Sequence, residues 1–393
     1  MLSRRSFLTT AATAASAARA MGANDRVRLG IVGTGGRGKY LMGEANRGNI
    51  DWVAVCDVWK VRQAEGQKVA ARKGSNPAAY TDHRELLDRK DIDAVIVATT
   101  DHNHVRVALD ACAAGKDIYC EKPMSSTAEQ GPPLVRAARA AKIVLQTGVQ
   151  QRSMKHFIDA KQRFFDSGAI GRVNMVRTIW NGNSGYLEKP PAGMERKPDD
   201  LDWDRWLGHL AKRPWDPKMY FNRFAYWDVS SGAQTGGLFV HQVDVVHWYL
   251  GLTKCDSAVA SGGILAYDDG RDAPDNINLI LRYPQKVMVT FEATLGVAEE
   301  ADIVFSGTGG RLSIFRRSYR FHPTGAKDAS ADVTMDGARD EGAHMDNFLD
   351  CVRSRKDPNS TVEHGHWGAM ACHIGNLAYK AQTQVGWKKE WDL

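Results

Sequence analysis

The sequence predicts an α/β protein: a doubly wound parallel sheet, followed by a second α/β region built on a mostly antiparallel sheet. Three observations carry that prediction. Short apolar runs at 27–32, 52–55, 94–98, 118–120 and 143–145 alternate with helical patterns at 39–47, 62–72, 85–88, 105–114 and 128–142. Such alternation is the pattern of parallel strands joined by right-handed helical crossovers. Further on the period changes to two. Val287, Val289 and Phe291 alternate with Met288, Thr290 and Glu292, as in an antiparallel strand with one covered face. Finally, 393 residues with 43% hydrophobic and 25% charged side chains suit two globular domains. The net charge of +6 is not gathered into a basic run, which argues against a nucleic-acid partner. With no stretch of about 18 unbroken apolar residues, no membrane span is expected.

Residues 1–20 read as a signal peptide. Ser3-Arg4-Arg5-Ser6-Phe7-Leu8 precedes a mild Ala/Thr-rich stretch and then Ala18-Arg19-Ala20, a small-x-small cleavage site. The arginine pair resembles a twin-arginine export signal and implies a periplasmic or otherwise exported protein, cytoplasmic only if the signal is silent. The six cysteines show no C-x-x-C and no zinc-like spacing, and are read as free thiols. His344, His364, His366 and His373 lack ligand spacing as well, so no metal is expected.

The first strand runs into Gly33-Thr34-Gly35-Gly36-Arg37-Gly38, with glycines at the three positions of G-x-G-x-x-G between a strand and a helix. Gly33 allows the tight turn, Gly35 lets the backbone approach a pyrophosphate, and Gly38 allows close packing of helix on strand. The helix N-terminus offers unpaired N–H groups and a positive dipole end to phosphates. The second strand ends at Cys56-Asp57. An acid there, about 20 residues past the loop, accepts hydrogen bonds from ribose hydroxyls and repels a 2′-phosphate, which favours NAD over NADP. Pro132-Pro133 places the start of the last helix of this unit at or near the pair. The dinucleotide-binding unit is drawn at 25–148 and the second region at 149–393.

Ligands bind at the carboxyl ends of the strands in such a sheet. Two of those ends carry chemistry: Thr99-Thr100-Asp101-His102-Asn103-His104 and Glu121-Lys122-Pro123. The segment AGKDIYCEKP ending at Pro123, the glycine loop, and a later His241-x-x-Asp244-x-x-x-Trp248 together resemble the Gfo/Idh/MocA family. The likeness runs from about residue 27 to the end of the chain. It implies a Rossmann domain followed by an α/β domain with an open, mostly antiparallel sheet, whose outer face is a natural surface for a homodimer or homotetramer. Lys122 then stands beside the nicotinamide and polarises the reacting hydroxyl, His241 is the catalytic base, and Thr99, His104 and Glu121 join the cofactor side. His102 is extra and expected at the surface. The family usually carries a carboxylate four residues before that histidine. This chain has Gly237 there, and Asp228 and Asp244 are the nearest acids to replace it.

The second region opens with Gln151 and Arg152, then a helix at 154–165 and a strand at 173–180. An insertion at 181–231, with Trp180 at its edge, carries five of the eleven tryptophans. Trp180, Arg223, Tyr226, Trp227 and Asp228, with Gln151 and Arg152, are candidates to hold a sugar. The aromatics equally suit a small core of their own. On a helix, His241, Asp244 and Trp248 fall along one face. Strands follow at 256–261, 276–283, 286–295, 302–306 and 311–314, a loose loop at 327–340, and helices at 342–355 and 364–383 that close the chain.

The expected function is an NAD-dependent oxidoreductase acting on a hydroxyl of a sugar, polyol or glycoside. Two alternatives stand beside it. A redox-neutral glycosidase would oxidise, eliminate, add water and return the electrons to the sugar, which suits a compartment without a soluble NAD pool. A sugar-binding relative with an impaired site is the other, suggested by Gly237.

Overall fold

The computed structural model describes residues 26–182 and 185–393. The arginine-pair segment and its cleavage site lie outside the described residues. Two sheets organise the rest. The first has six parallel strands, β1 Val27–Val32, β2 Ile50–Cys56, β3 Ala78–Tyr80, β4 Ala94–Val97, β5 Asp117–Cys120 and β6 Leu145–Thr147, in the order β3-β2-β1-β4-β5-β6. β4 and β5 are buried at every residue, which is why they read as unbroken apolar runs. The order reverses between β1 and β4, and that crevice is where a sheet of this winding takes its ligand. The sequence expectation omits β3, a three-residue edge strand with no buried position to give it a pattern. It also sets β6 two residues early.

The helix Gly36–Ala45 leaves the glycine loop without a side-chain cap, so its first N–H groups face the loop. Pro132 and Pro133 fall in the first turn of the helix Gly131–Ala141, where a missing N–H costs nothing.

The second sheet has nine strands: β7 Val173–Ile179, β8 Ser257–Gly263, β9 Asn276–Tyr283, β10 Val287–Thr294, β11 Asp302–Gly307, β12 Gly310–Phe315, β13 Ser318–Pro323, β14 Val333–Asp336 and β15 Val385–Gly386. Their order is β14-β13-β12-β11-β7-β10-β9-β8-β15, antiparallel except between β7 and β10. β14 corrects part of the expected loose loop: it is a four-residue edge strand, too short to stand out, whose Val333 and Met335 lie half-buried against the core. On β10, Val287, Val289 and Phe291 face the core and Met288 and Glu292 face out. The covered face packs against the helices Val240–Leu250 and Val362–Ala381. The second of these also touches the helix Gly131–Ala141, so it ties the two sheets together.

The insertion forms a small core of its own. Trp59, Trp203, Trp206, Met219, Tyr226 and Val229 pack together, with Trp203 and Trp206 stacked at 4.6 Å. All six cysteines are buried and free. Among the described residues, no helix is long and apolar enough to cross a membrane.

Candidate functional site

Two adjoining cavities open at the carboxyl ends of the parallel strands. Gly33, Gly35, Gly36, Arg37, Asp57 and Thr99 are among the residues lining the first, of about 220 Å³. Lys122, His241, His104, Glu121 and Gln150 are among those lining the second, of about 370 Å³. Arg37, Ala98, Thr99 and Arg223 line both.

The first cavity has the shape a dinucleotide needs. Gly33 has φ +93, and a Cβ there would meet the Ala98 carbonyl at 2.5 Å. A Cβ on Gly38 would come within 2.0 Å of the Gly33 carbonyl oxygen, so this glycine brings the helix onto the loop and does not line the cavity. Gly35 and Gly36 have nothing within 4 Å of where a Cβ would stand. That space beside open helix N–H groups fits a pyrophosphate. Thr34 is corrected from cofactor contact to support. Its side chain is buried and its hydroxyl donates to the Arg62 carbonyl at 2.8 Å. Its backbone N–H donates to Asp57 Oδ2 at 2.8 Å, and the Trp59 N–H donates to Oδ1 at 3.1 Å, so both oxygens of the ribose-side acid are held in place. Burial pushes the Asp57 carboxyl up against these hydrogen bonds.

In the second cavity, Lys122 comes from the end of β5 and His241 from the first turn of the helix Val240–Leu250. A π-helical turn, Thr235–Phe239, runs directly into that helix. Such widened turns gather at functional sites because they re-aim the residues that follow. Lys122 Nζ donates to the Gly237 carbonyl at 2.7 Å. The position where an acid was expected thus offers a backbone oxygen. A Cβ there would meet only Phe224, at 3.7 Å, so packing does not demand the glycine. Burial lowers the Lys122 pKa, with Asp101 and Glu121 opposing it. Burial carries His241 well below its ordinary value, and the cations Lys122, Arg316, Arg37 and Arg339 add to this. His241 Nδ1 has no hydrogen-bond partner among the described residues, and its ring lies 5.9 Å from that of Trp180.

The acid facing Lys122 is Asp101, which the sequence reading did not single out. It lines the same cavity, and its Oδ2 is buried with no hydrogen-bond partner among the described residues. The available signal was its place in the strand-end segment before His104. Glu121 is buried and accepts from Arg37 Nε at 2.8 Å. Arg37 also reaches Glu341 at 2.8 Å, joining the glycine loop to the C-terminal region. His104 lies between the Pro123 and Thr99 carbonyls at 2.8 and 3.1 Å.

Several expected site residues lie elsewhere. Asp244 is 1% exposed and accepts from Arg152 Nε at 2.8 and 3.0 Å, so both are corrected to a buried structural pair. Arg152 covers Asp244 and Trp248, with its guanidinium 5.6 Å from the Trp248 ring, while His241 lines the second cavity. Gln151 is buried outside both cavities, and its neighbour Gln150 lines the second. Tyr226 belongs to the insertion core, Trp227 packs on Tyr379, and Asp228 pairs with Arg213 at 2.7 Å. None of the three lines either cavity. His102 is buried rather than at the surface, beside the Trp206 carbonyl at 2.8 Å, and burial lowers its pKa to about 4. The insertion covers the Asp57 end of the first cavity with Trp206, Tyr220 and Phe221, and reaches the second through Arg223 and Phe224.

Residues 27–149 match the family described as "Oxidoreductase family, NAD-binding Rossmann fold". Residues 208–313 match the "GFO/IDH/MocA C-terminal domain". The chain is 33% identical over 155 residues to inositol 2-dehydrogenase 1 of Saccharopolyspora erythraea, covering 39% of this chain and 45% of that protein. It is 21% identical over 369 residues to myo-inositol 2-dehydrogenase of Thermotoga maritima, covering 90% and 96%. At about a third identity, the chain spans about half the length of the curated relatives it matches. In fold it is similar to levoglucosan dehydrogenase in complex with NADH, with a TM-score of 0.71 at 16% identity over 92% of this chain and 99% of that one.

Proposed function

The chain belongs to the Gfo/Idh/MocA oxidoreductases, and on that footing we propose that it is an NAD-dependent dehydrogenase oxidising a hydroxyl of a sugar or polyol. The observation that carries the reading is the meeting of Lys122 and His241 in one cavity beside the glycine-loop cavity. The names of the relatives, dehydrogenases of inositol and levoglucosan, support the reaction and the substrate class. Neither the glycosidase nor the impaired-site alternative is favoured by them.

The residues suit their roles. Gly33, Gly35 and Gly36 leave room for the pyrophosphate, and Asp57 is positioned for the ribose hydroxyls. Bound NAD supplies the acceptor for the two electrons of the C–H bond. His241 takes the hydroxyl proton, since its burial among cations keeps the imidazole neutral and ready to accept. The Lys122 ammonium, anchored on the Gly237 carbonyl, stabilises the negative charge that develops on the oxygen. Asp101 balances that ammonium in place of the missing acid. Export belongs to the proposal and rests on Ser3-Arg4-Arg5. Homodimer or homotetramer formation rests on the resemblance, and the exposed Met175, Ile280 and Met288 on the outer face of the second sheet support it.

The test is NADH formation over a panel of sugars and polyols. Lys122→Met and His241→Ala are each expected to lower turnover by about 10²–10⁴-fold while NAD still binds. A variant that keeps wild-type turnover removes that residue from the mechanism. Release of an aglycone without net NADH would replace the dehydrogenase with the glycosidase.

A further inference from the structure

The second cavity holds more positive charge than its own acids balance. Arg37, Lys122, Arg223, Arg316 and Arg339 line it, against Asp101, Glu121 and Glu341. Glu341 alone serves three guanidiniums, with Arg339 at 2.6 Å, Arg37 at 2.8 Å and Arg316 no nearer than 3.9 Å. Arg316, from the turn between β12 and β13, donates no hydrogen bond among the described residues. Its guanidinium lies 5.1 Å from the Trp180 ring, the same ring that faces His241. Arg223 has no carboxylate partner among the described residues; its guanidinium lies 4.3 Å from the Phe224 ring.

A half-buried guanidinium with no close carboxylate of its own is costly unless something anionic completes it. The cofactor's phosphates do not meet that need at Arg316, because their place is the glycine loop at the other end of Arg37. A guanidinium held flat by an aromatic ring presents a fork of donors suited to a planar or tetrahedral anion. Resting on the dehydrogenase reading above, we propose that the substrate is an anionic sugar or polyol, its carboxylate or phosphate bound by Arg316 with Arg223, and its reacting hydroxyl directed to Lys122 and His241. An anion there also has a chemical use. Arg316 is among the cations that lower the His241 pKa, so a bound negative charge restores basicity to the catalytic imidazole when substrate is present.

The experiment is a calorimetric titration of NADH-loaded protein with D-glucuronate, D-glucose 6-phosphate and D-glucose, so that the nucleotide's own charges are already in place. At least one of the two acids is expected to bind about tenfold or more tighter than glucose, as a charge-assisted pair predicts. The better of the two identifies carboxylate or phosphate as the group. Arg316→Met should bring its affinity down to the level of glucose, and Arg316→Lys should retain part of the preference. Without any variant, affinity for the preferred acid should fall with added salt while that for glucose stays level. Glucose binding as tightly as both acids, neither acid binding, or a preference untouched in Arg316→Met would each overturn the proposal. The two readings fail separately. Loss of the preference leaves the dehydrogenase standing, whereas tight acid binding with no NADH formed from any sugar or polyol leaves the anion site and removes the dehydrogenase.

Discussion

Two different kinds of oxygen act on Lys122. One is the Gly237 carbonyl at 2.7 Å, a fixed dipole; the other is the Asp101 carboxylate, whose charge opposes the burial that lowers the Lys122 pKa. In the proposed mechanism the pair stands in for an acid at position 237. It also sets the pH dependence. As the proposed base, His241 must be neutral to accept a proton, and its pKa is depressed, so activity should persist on acidification well past the ordinary histidine range. In its proposed role Lys122 must be protonated to stabilise the oxyanion, and its pKa is also depressed, so activity should be lost as pH rises through a value below that of a free lysine. Removing the Asp101 charge lowers that value further. Asp101→Asn should therefore move the alkaline limb of the kcat profile to lower pH and reduce kcat by about tenfold, with NAD affinity unchanged. An unmoved limb would separate Asp101 from Lys122.

At the scale of elements, the helix Val240–Leu250 is aimed by its partners. Gln242 donates to the Ile179 and Asp302 carbonyls at 2.8 Å, tying the helix to the second sheet. Asp244 and Arg152 tie it to the turn Gln150–Ser153, at the hinge between the two regions. His241 can face the cavity because the next turns of its helix are fixed on both sides. Breaking one partner of a buried pair leaves an uncompensated charge, at a cost of about 3–5 kcal/mol. Arg152→Met and Asp244→Asn should each lower the melting temperature by several degrees, and Arg152→Met with Asp244→Leu together should recover much of the loss. Full turnover in the surviving folded fraction would match a purely structural role. Complete inactivity of well-folded Asp244→Asn would make Asp244 part of the chemistry after all.

Across the whole molecule, burial has left a set of histidines that resist protonation. Burial lowers His102, His344, His366 and His373 to about 4 and His247 to about 3. In the unfolded chain each titrates near 6.5. Below that value the unfolded state binds more protons than the folded one, so stability is complete above about pH 6.5 and falls as pH drops through the folded values. Thermal scans should therefore show the melting temperature declining steadily from pH 7 to pH 4. A flat profile across that window would mean these imidazoles are not held neutral in the fold.

Much of this was legible in the chain itself. The parallel strands β1, β2, β4 and β5 are buried on both faces, so they stand out as apolar runs, and the glycine loop follows from a local turn that few other residues permit. Lys122 and His241 were reachable because each lies in a motif of near neighbours. Residues 99–104 and 121–123 end successive strands of a parallel sheet, which puts both at one crevice. What only the tertiary structure decided is which side chains that crevice keeps. Gly237 contributes a carbonyl, and carbonyls have no letter in a sequence. Asp244 and Asp101 carry the same functional group; Arg152, 92 positions away, claims the first, and Lys122 draws the second into the site. Arg316 and Glu341 come from turns and a helix start far along the chain, and reach the cavity because β12 and β13 end beside it. Local pattern records how a residue lies on its own strand or helix, whereas a charge finds its partner across the fold, where spacing along the chain carries no information.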